Sequence, residues 1–390
     1  MVSPLLSSVL LFGVVAAAHS VPTTRCTLTS SGGDDASAFV TAASSCATVT
    51  IPADTTLKIS SKMDMTGLKG THIDLQGTIK FNDNIDYWAG NSFYFEFQDS
   101  YTFWLLGGKD ITLDGGGTID GSGQAWYDAF YTNSSLVRPI TLTVYQAQGA
   151  TIKDIKMINS PMWFNLAYES SDLLYTDITI DTWTTSNVSI SNTDGWDIYR
   201  CDNVVVRDSH INNNDDCVSF KPNSTNILVQ NLHCNGSQSL GEYAGIYDIV
   251  ENVTAIDITM SNAQNGARIK AFAGEDVGSG IVKNIVFKNW VESAVENPII
   301  VDQCYETSTT ACEDYPSNVY IQDVWFTNIV GTGTESAVAS IDCSPDDRCS
   351  NIYVNDLHLK LTDGEAGEYE CENVVLQGDS ASLFNCTDTS

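Results

Sequence analysis

The sequence predicts an all-β chain wound into a single-domain, right-handed parallel β-helix, a solenoid with a short capping helix at its N-terminal end. Three observations point there. Short β-branched runs led by Asn or Asp recur along the chain, with asparagines at 203, 226, 252, 284, 318, 351 and 373 spaced 22 to 34 residues apart, each just before a Val or Ile. Helical periodicity is rare. The composition, 43% hydrophobic and only 17% charged over 390 residues, supplies a large core and excludes a disordered chain. A β-sandwich also alternates strands with turns, but it would not lead strand after strand with asparagine.

In chain order, residues 1–20 (MVSPLLSSVLLFGVVAAAHS) form an apolar run ending in small residues, the pattern of a secretory signal cut after about Ala18 or Ser20. Residues 21–390 are then the β-helical domain, with no later run apolar enough to span a bilayer, so a secreted, extracellular protein is expected. The stretch DASAFVTAASSC carries the best helical pattern and suits a cap over the first coil's open apolar end. Strand units follow from KDITLDGGGTIDG through DNVVVRDSHINNNDDCVSF and ENVTAIDITMSNAQNGARIKA to SNIYVNDLHLKL. Between the cap and these units, NIDYWAGNSFYFEF is an aromatic stretch that could wall one end of a cleft.

Eleven cysteines and six N-x-[ST] sequons, at Asn133, Asn187, Asn223, Asn235, Asn252 and Asn385, agree with an oxidising route. Local spacing suggests bridges Cys26 to Cys46, Cys217 to Cys234, Cys304 to Cys312, Cys343 to Cys349, and Cys371 to Cys386, leaving Cys201 as a buried thiol. The net charge of −31 argues against nucleic acid or an anionic membrane as partner. With only 18 Lys and Arg on such a chain, the positions of the cations carry information.

On a β-helix, residues about one coil apart become neighbours. Asp194, in SNTDGWD, stands 21 residues before Asp215, so Asp194, Asp215 and Asp216 are predicted to cluster on one face. Like charges held together raise one carboxyl pKa and separate acid from base, the requirement of glycoside hydrolysis. Adjacent aspartates alone more often mark a solvated turn, and Asp and Asn oxygens also suit calcium. Arg268 and Lys270 flank Ile269, so in a strand both point outward together, a cation pair suited to an anionic substrate.

NTD at Asn192 to Asp194, DD at Asp215 and Asp216, and RIK at Arg268 to Lys270 stand in the order and approximate spacing of the polygalacturonases, glycoside hydrolase family 28, which the chain resembles over nearly its whole mature length. The wording of NTDGWDIYR, YDIVENV and NIDYW looks most like fungal exopolygalacturonases, with xylogalacturonan hydrolases a near neighbour. The resemblance implies a pectin-degrading enzyme that hydrolyses α-1,4-linked galacturonan with inversion, needs no metal or cofactor, and works as a monomer on a polysaccharide. It makes Asp215 the general acid and gives Asp194 and Asp216 the attacking water. It places Asn192, Arg268, Lys270 and Tyr305 on the substrate. An inverting pair should stand roughly 6.5–9.5 Å apart.

The sequence departs from the family after Cys234. The family carries a G-H-G segment whose histidine sits beside the acid; here CNGSQSLGEYAG is about five residues short, with Gln238 in that place. None of His19, His72, His210, His233 or His358 occupies the motif. Glutamine hydrogen-bonds a carboxyl but cannot titrate. Two readings stay open: a hydrolase with much reduced activity and a displaced Asp216 and Arg268, or a galacturonan-binding protein without turnover. A calcium-dependent β-helical lyase is disfavoured by the hydrolase-like motif layout.

Overall fold

The computed structural model describes residues 24–241 and 247–387, excluding the side chains at 236–241 and 309. The expected signal segment lies outside the described residues. The rest winds as the expected right-handed parallel β-helix, in which every neighbouring strand pair of the main sheet is parallel. The capping helix forms over Ala36–Ser45 and buries Ala36, Phe39, Ala42 and Ala43 against the first coils, with Phe39 edge-on to Trp104 at 5.6 Å.

Each coil pairs a short strand on one face with a longer strand on another. The short strands stack in the order Leu142–Tyr145, Asn165–Tyr168, Trp196–Tyr199, then the end of Asp202–Phe220, the end of Ser224–Gly241, Asn265–Lys270, Asn297–Asp302, Ala337–Asp342 and Glu368–Glu372. Alternation along them sends Ile198, Ile269, Val301 and Ile341 into a core with no measurable exposure to about 1%, and turns their neighbours outward. Parallel stacking therefore converts sequence alternation into straight outward columns of side chains.

The asparagine pattern is a turn device. Asn203, Asn226, Asn252, Asn284 and Asn351 all adopt φ between 56° and 59°, where Asn is among the few residues that sit without large strain. Their amides hydrogen-bond up the stack: Asn226 to Asp202, Asn252 to Asn226 and Asn284 to Asn252, at 2.6, 3.0 and 2.7 Å. Two expected members fall elsewhere. Asp323, not Asn318, continues the column, because the register sets it beside Asn284, and Asp tolerates the same backbone. Asn373 instead donates to the Cys343 carbonyl.

Four of the five expected disulfides form: Cys26 to Cys46, Cys304 to Cys312, Cys343 to Cys349, and Cys371 to Cys386. The fifth is corrected. Cys217 and Cys234 are buried free thiols that meet through a hydrogen bond. The regular register sets Cys234 opposite Ile211, six residues before Cys217, with the slip coming only after Asn212. Cys201 is the expected buried thiol, its pKa pushed up to about 12 by desolvation.

Candidate active site

All seven expected site residues, Asn192, Asp194, Asp215, Asp216, Arg268, Lys270 and Tyr305, line one cleft of about 890 Å³ on the short-strand face. Asp194 closes the loop before Trp196–Tyr199, and Asp215 and Asp216 lie on the next coil, as the 21-residue spacing predicts. Gly195 lets the two backbones approach: a Cβ there would stand 2.5 Å from the Cys217 carbonyl. The Gly195 amide donates to the Asp216 carbonyl at 2.9 Å, tying the two acidic segments together.

One oxygen from each of Asp194, Asp215 and Asp216 lies within 4.8 Å of the others. These are the oxygens that approach one another, a different measure from the roughly 6.5–9.5 Å between the carboxyl groups of an inverting pair. The three carboxylates bracket a single small volume, and one water bonded at about 2.8 Å to each of two oxygens would span such a separation. Two groups are driven toward the protonated form. Burial raises the Asp215 pKa and Asp216 adds to it, against hydrogen bonds from the amides of Asn192 and Asp216 and the charge of Lys270. Burial lifts Asp194 well above its ordinary value, with Asp197, Asp215 and Asp216 adding to the effect and Lys221 opposing it. Asp216 has a cation, the Arg268 guanidinium at 3.6 Å.

Arg268 and Lys270 do share the outward face, separated by the fully buried Ile269. Their charges stand 5.6 and 4.6 Å from the centre of the Tyr305 ring, so the ring, itself edge-on to Phe272, braces the pair. Leu240 and Gly241, at the end of the preceding strand, pair in register with Ile269 and Lys270. The register is nonetheless irregular on both sides of Asp216, between Asn212 and Asp216 and between Asp216 and Ser219. The side chain of Gln238 lies outside the described residues.

Three polar residues of the site were not anticipated. Asp197, with no measurable exposure, pairs with Lys221 at 3.0 Å; desolvation raises its pKa to about 7 against the pull of Lys221. Lys221 overcomes its own desolvation through Asp197, Asp194 and Asp216, so its pKa rises and it stays charged beneath the cluster. Arg138 is 3% exposed and donates to the carbonyls of Pro161 and Ser191 at 3.0 and 2.8 Å and to Asn192 Oδ1 at 2.6 Å. The Asn192 amide in turn donates to Asp215 Oδ2 at 2.8 Å. Asn192 thus works through its backbone on the acid, and its side-chain oxygen is committed to Arg138. The available signal was scarcity: two of only 18 cations proved to be buried at the site.

The N-terminal end of the cleft floor is covered. Phe95 packs on Tyr145 and Tyr168 at 5.2 and 4.8 Å, and Phe97 stacks on Tyr199 at 3.7 Å. Gln98, next in the same segment, lines the cleft beside Met162 and Trp163. The aromatic stretch anticipated as a wall therefore both packs on the solenoid and bounds the site.

The sequence profile of glycosyl hydrolases family 28 matches residues 42–382. The chain is 42% identical over 379 residues to exopolygalacturonase X-1 of Emericella nidulans, covering 91% of this chain and 86% of that one. It is 41% identical over 397 residues to an exopolygalacturonase of Cochliobolus carbonum, covering 95% and 88%. Its fold is similar to that of the endo-xylogalacturonan hydrolase from Aspergillus tubingensis, with a TM-score of 0.84 at 26% identity over 94% of this chain and 100% of that one.

Proposed function

The chain belongs to glycosyl hydrolases family 28, and from that premise we propose that it cleaves α-1,4-galacturonosyl linkages of galacturonan from a chain end, releasing galacturonic acid. The observation that carries the reading is the trio of carboxylates facing a braced cation pair in one cleft. Asp215, whose pKa burial raises, gives its proton to the glycosidic oxygen. Asp216, beside Arg268, takes the proton of the attacking water, which Asp194 helps to hold. Arg268 and Lys270 receive the substrate carboxylate, and Tyr305 offers its ring to the sugar. Action at an end is supported by the aromatic segment over Tyr145, Tyr168 and Tyr199, and by the names of the relatives.

Attack by a water on the face opposite the leaving oxygen inverts the anomeric carbon, so the α linkage yields β product first. Proton NMR of a trigalacturonate digest, read before mutarotation, tests this: β-galacturonic acid is expected, and initial α product would overturn inversion. Asp215→Asn is expected to lower kcat by about 10²–10⁴-fold or more with substrate binding retained.

A second reading, binding without turnover, is favoured by the missing family histidine; it predicts galacturonan affinity with no reducing ends released, and a graft of the G-H-G segment would then switch hydrolysis on. The likeness to a xylogalacturonan hydrolase favours tolerance of xylose branches, tested by offering branched and unbranched backbones side by side. The reading also carries secretion and a monomeric state, with neither nucleic acid nor membrane as partner. Four disulfides support the secretory route. Of the six sequons, Asn133, Asn187, Asn252 and Asn385 are exposed, and those of them outside the hydrogen-bonded asparagine stack, Asn133, Asn187 and Asn385, suit glycans. Asn223 is half-buried, while Asn235 and Asn252 donate their amides within the stack.

A further inference from the structure

Two outward columns form the cleft floor. One runs Tyr145, Tyr168, Tyr199 on the N-terminal side. On the C-terminal side the same face continues from Lys270 to Asp302, Asp342 and Glu372, each in direct register with the last. The parallel column runs from Arg268 to Ile300, Ser340 and Glu370. The charge therefore reverses one coil beyond the substrate cations. The strands Asn297–Asp302, Ala337–Asp342 and Glu368–Glu372 hold no Lys or Arg to offset these four carboxylates. Asp302 is partly engaged, accepting from the Cys304 amide at 2.8 Å. No ion pair to Asp302, Asp342 or Glu372 forms among the described residues. Burial first, then the charges of Glu372 and Asp302, raises the Asp342 pKa to about 6.

Resting on the reading of a chain-end galacturonan hydrolase, we propose that Asp342 and Glu372 are specificity-determining residues that repel the charged polymer where it leaves the cleft. The aromatic segment covers the N-terminal end of the floor, so a bound chain longer than the cleft extends over the acidic coils. Three coils beyond Lys270 rise about 14 Å, a path along which an anionic polymer meets like charge at every step. The favoured substrates are short galacturonides, and polymers whose sugars beyond the cleavage site are uncharged, such as methyl-esterified residues.

The test compares kcat/KM for trigalacturonate and for polygalacturonate, at about pH 7 and low salt, in the wild-type protein and in Asp342→Asn/Glu372→Gln. Added salt and partial methyl esterification are two further arms. In the double variant the polymer-to-trimer ratio is expected to rise about three- to tenfold, trimer kinetics staying level, and salt or esterification should raise the wild-type ratio in the same sense. A ratio unchanged or lowered by the substitutions overturns the inference. Product sizes in the same digests separate this from the chain-end reading, which fails if oligomers are released from mid-chain. If nothing is hydrolysed, the same ratio is read from equilibrium binding of trimer and polymer, with the same outcomes deciding.

Discussion

Arg138 is the residue whose role is largest relative to its visibility. It touches no reacting atom in the scheme; it holds Ser191 and Asn192, and Asn192 holds Asp215. Phe130 covers the guanidinium at 3.7 Å, and burial lowers its pKa to about 10 without discharging it at working pH. Arg138→Met is expected to lower kcat by about 10- to 100-fold, since small misplacements of catalytic groups are costly. The sign of the accompanying pH effect follows from the hydrogen bond. The Asn192 amide favours ionised Asp215, so loosening it raises the pKa of the acid, and the alkaline limb of kcat/KM moves to higher pH. A merely structural role would leave that limb in place, and Arg138→Lys should restore part of both effects. Asp194, Asp215 and Asp216 were legible in sequence because their spacing equals one coil. Arg138 was not, since its partners lie 23, 53 and 54 residues away through loops that no periodicity encodes.

At the scale of the element, the repeating coil depends on one left-handed residue per turn. Asn252 meets that demand at φ 59° and bonds both neighbours, donating to Asn226 and accepting from Asn284. Asn252→Ala loses both bonds and puts a Cβ in a disfavoured conformation; a loss of about 1–3 kcal/mol is expected by urea denaturation. Asn252→Gly keeps the backbone at ease and should cost clearly less. Equal losses would show that the bonds alone matter. This ladder made the fold legible, because a backbone requirement repeats where side-chain identity otherwise varies. Its misread members show the limit: Asn318 has the right neighbour but the wrong register, and Asp323 serves as well. The Cys217 to Cys234 pairing failed for a related reason, a register that sets Cys234 opposite Ile211 and that spacing alone does not reveal.

At the scale of the molecule, two sets of carboxyl groups pull stability in opposite directions with pH. Asp35, despite burial, and Asp202 are held below their ordinary values by hydrogen bonds, so their contribution is present above about pH 4 and lost as pH falls. Asp197, to about 7, and Asp342, to about 6, are raised, chiefly by burial, as are Asp194 and Glu292. The folded state then binds more protons than the unfolded one, and stability is lost as pH rises from about 4 through those values. The self-repulsion of a −31 chain adds to the loss. The melting temperature is expected to peak at about pH 4–6 and to fall by several degrees toward pH 8; a curve rising to pH 8 would contradict the assignment of the raised groups. The same arrangement by position, aromatic cover, carboxylates with cations, then an acidic exit, gives the central claim that this solenoid removes single sugars from an end. A time course of purified protein with hexagalacturonate at about pH 5, resolving every product length, tests it most directly. Galacturonic acid and pentagalacturonate in equal amounts from the earliest points are predicted. Trimers or tetramers appearing first, or tight binding with no cleavage, would contradict it.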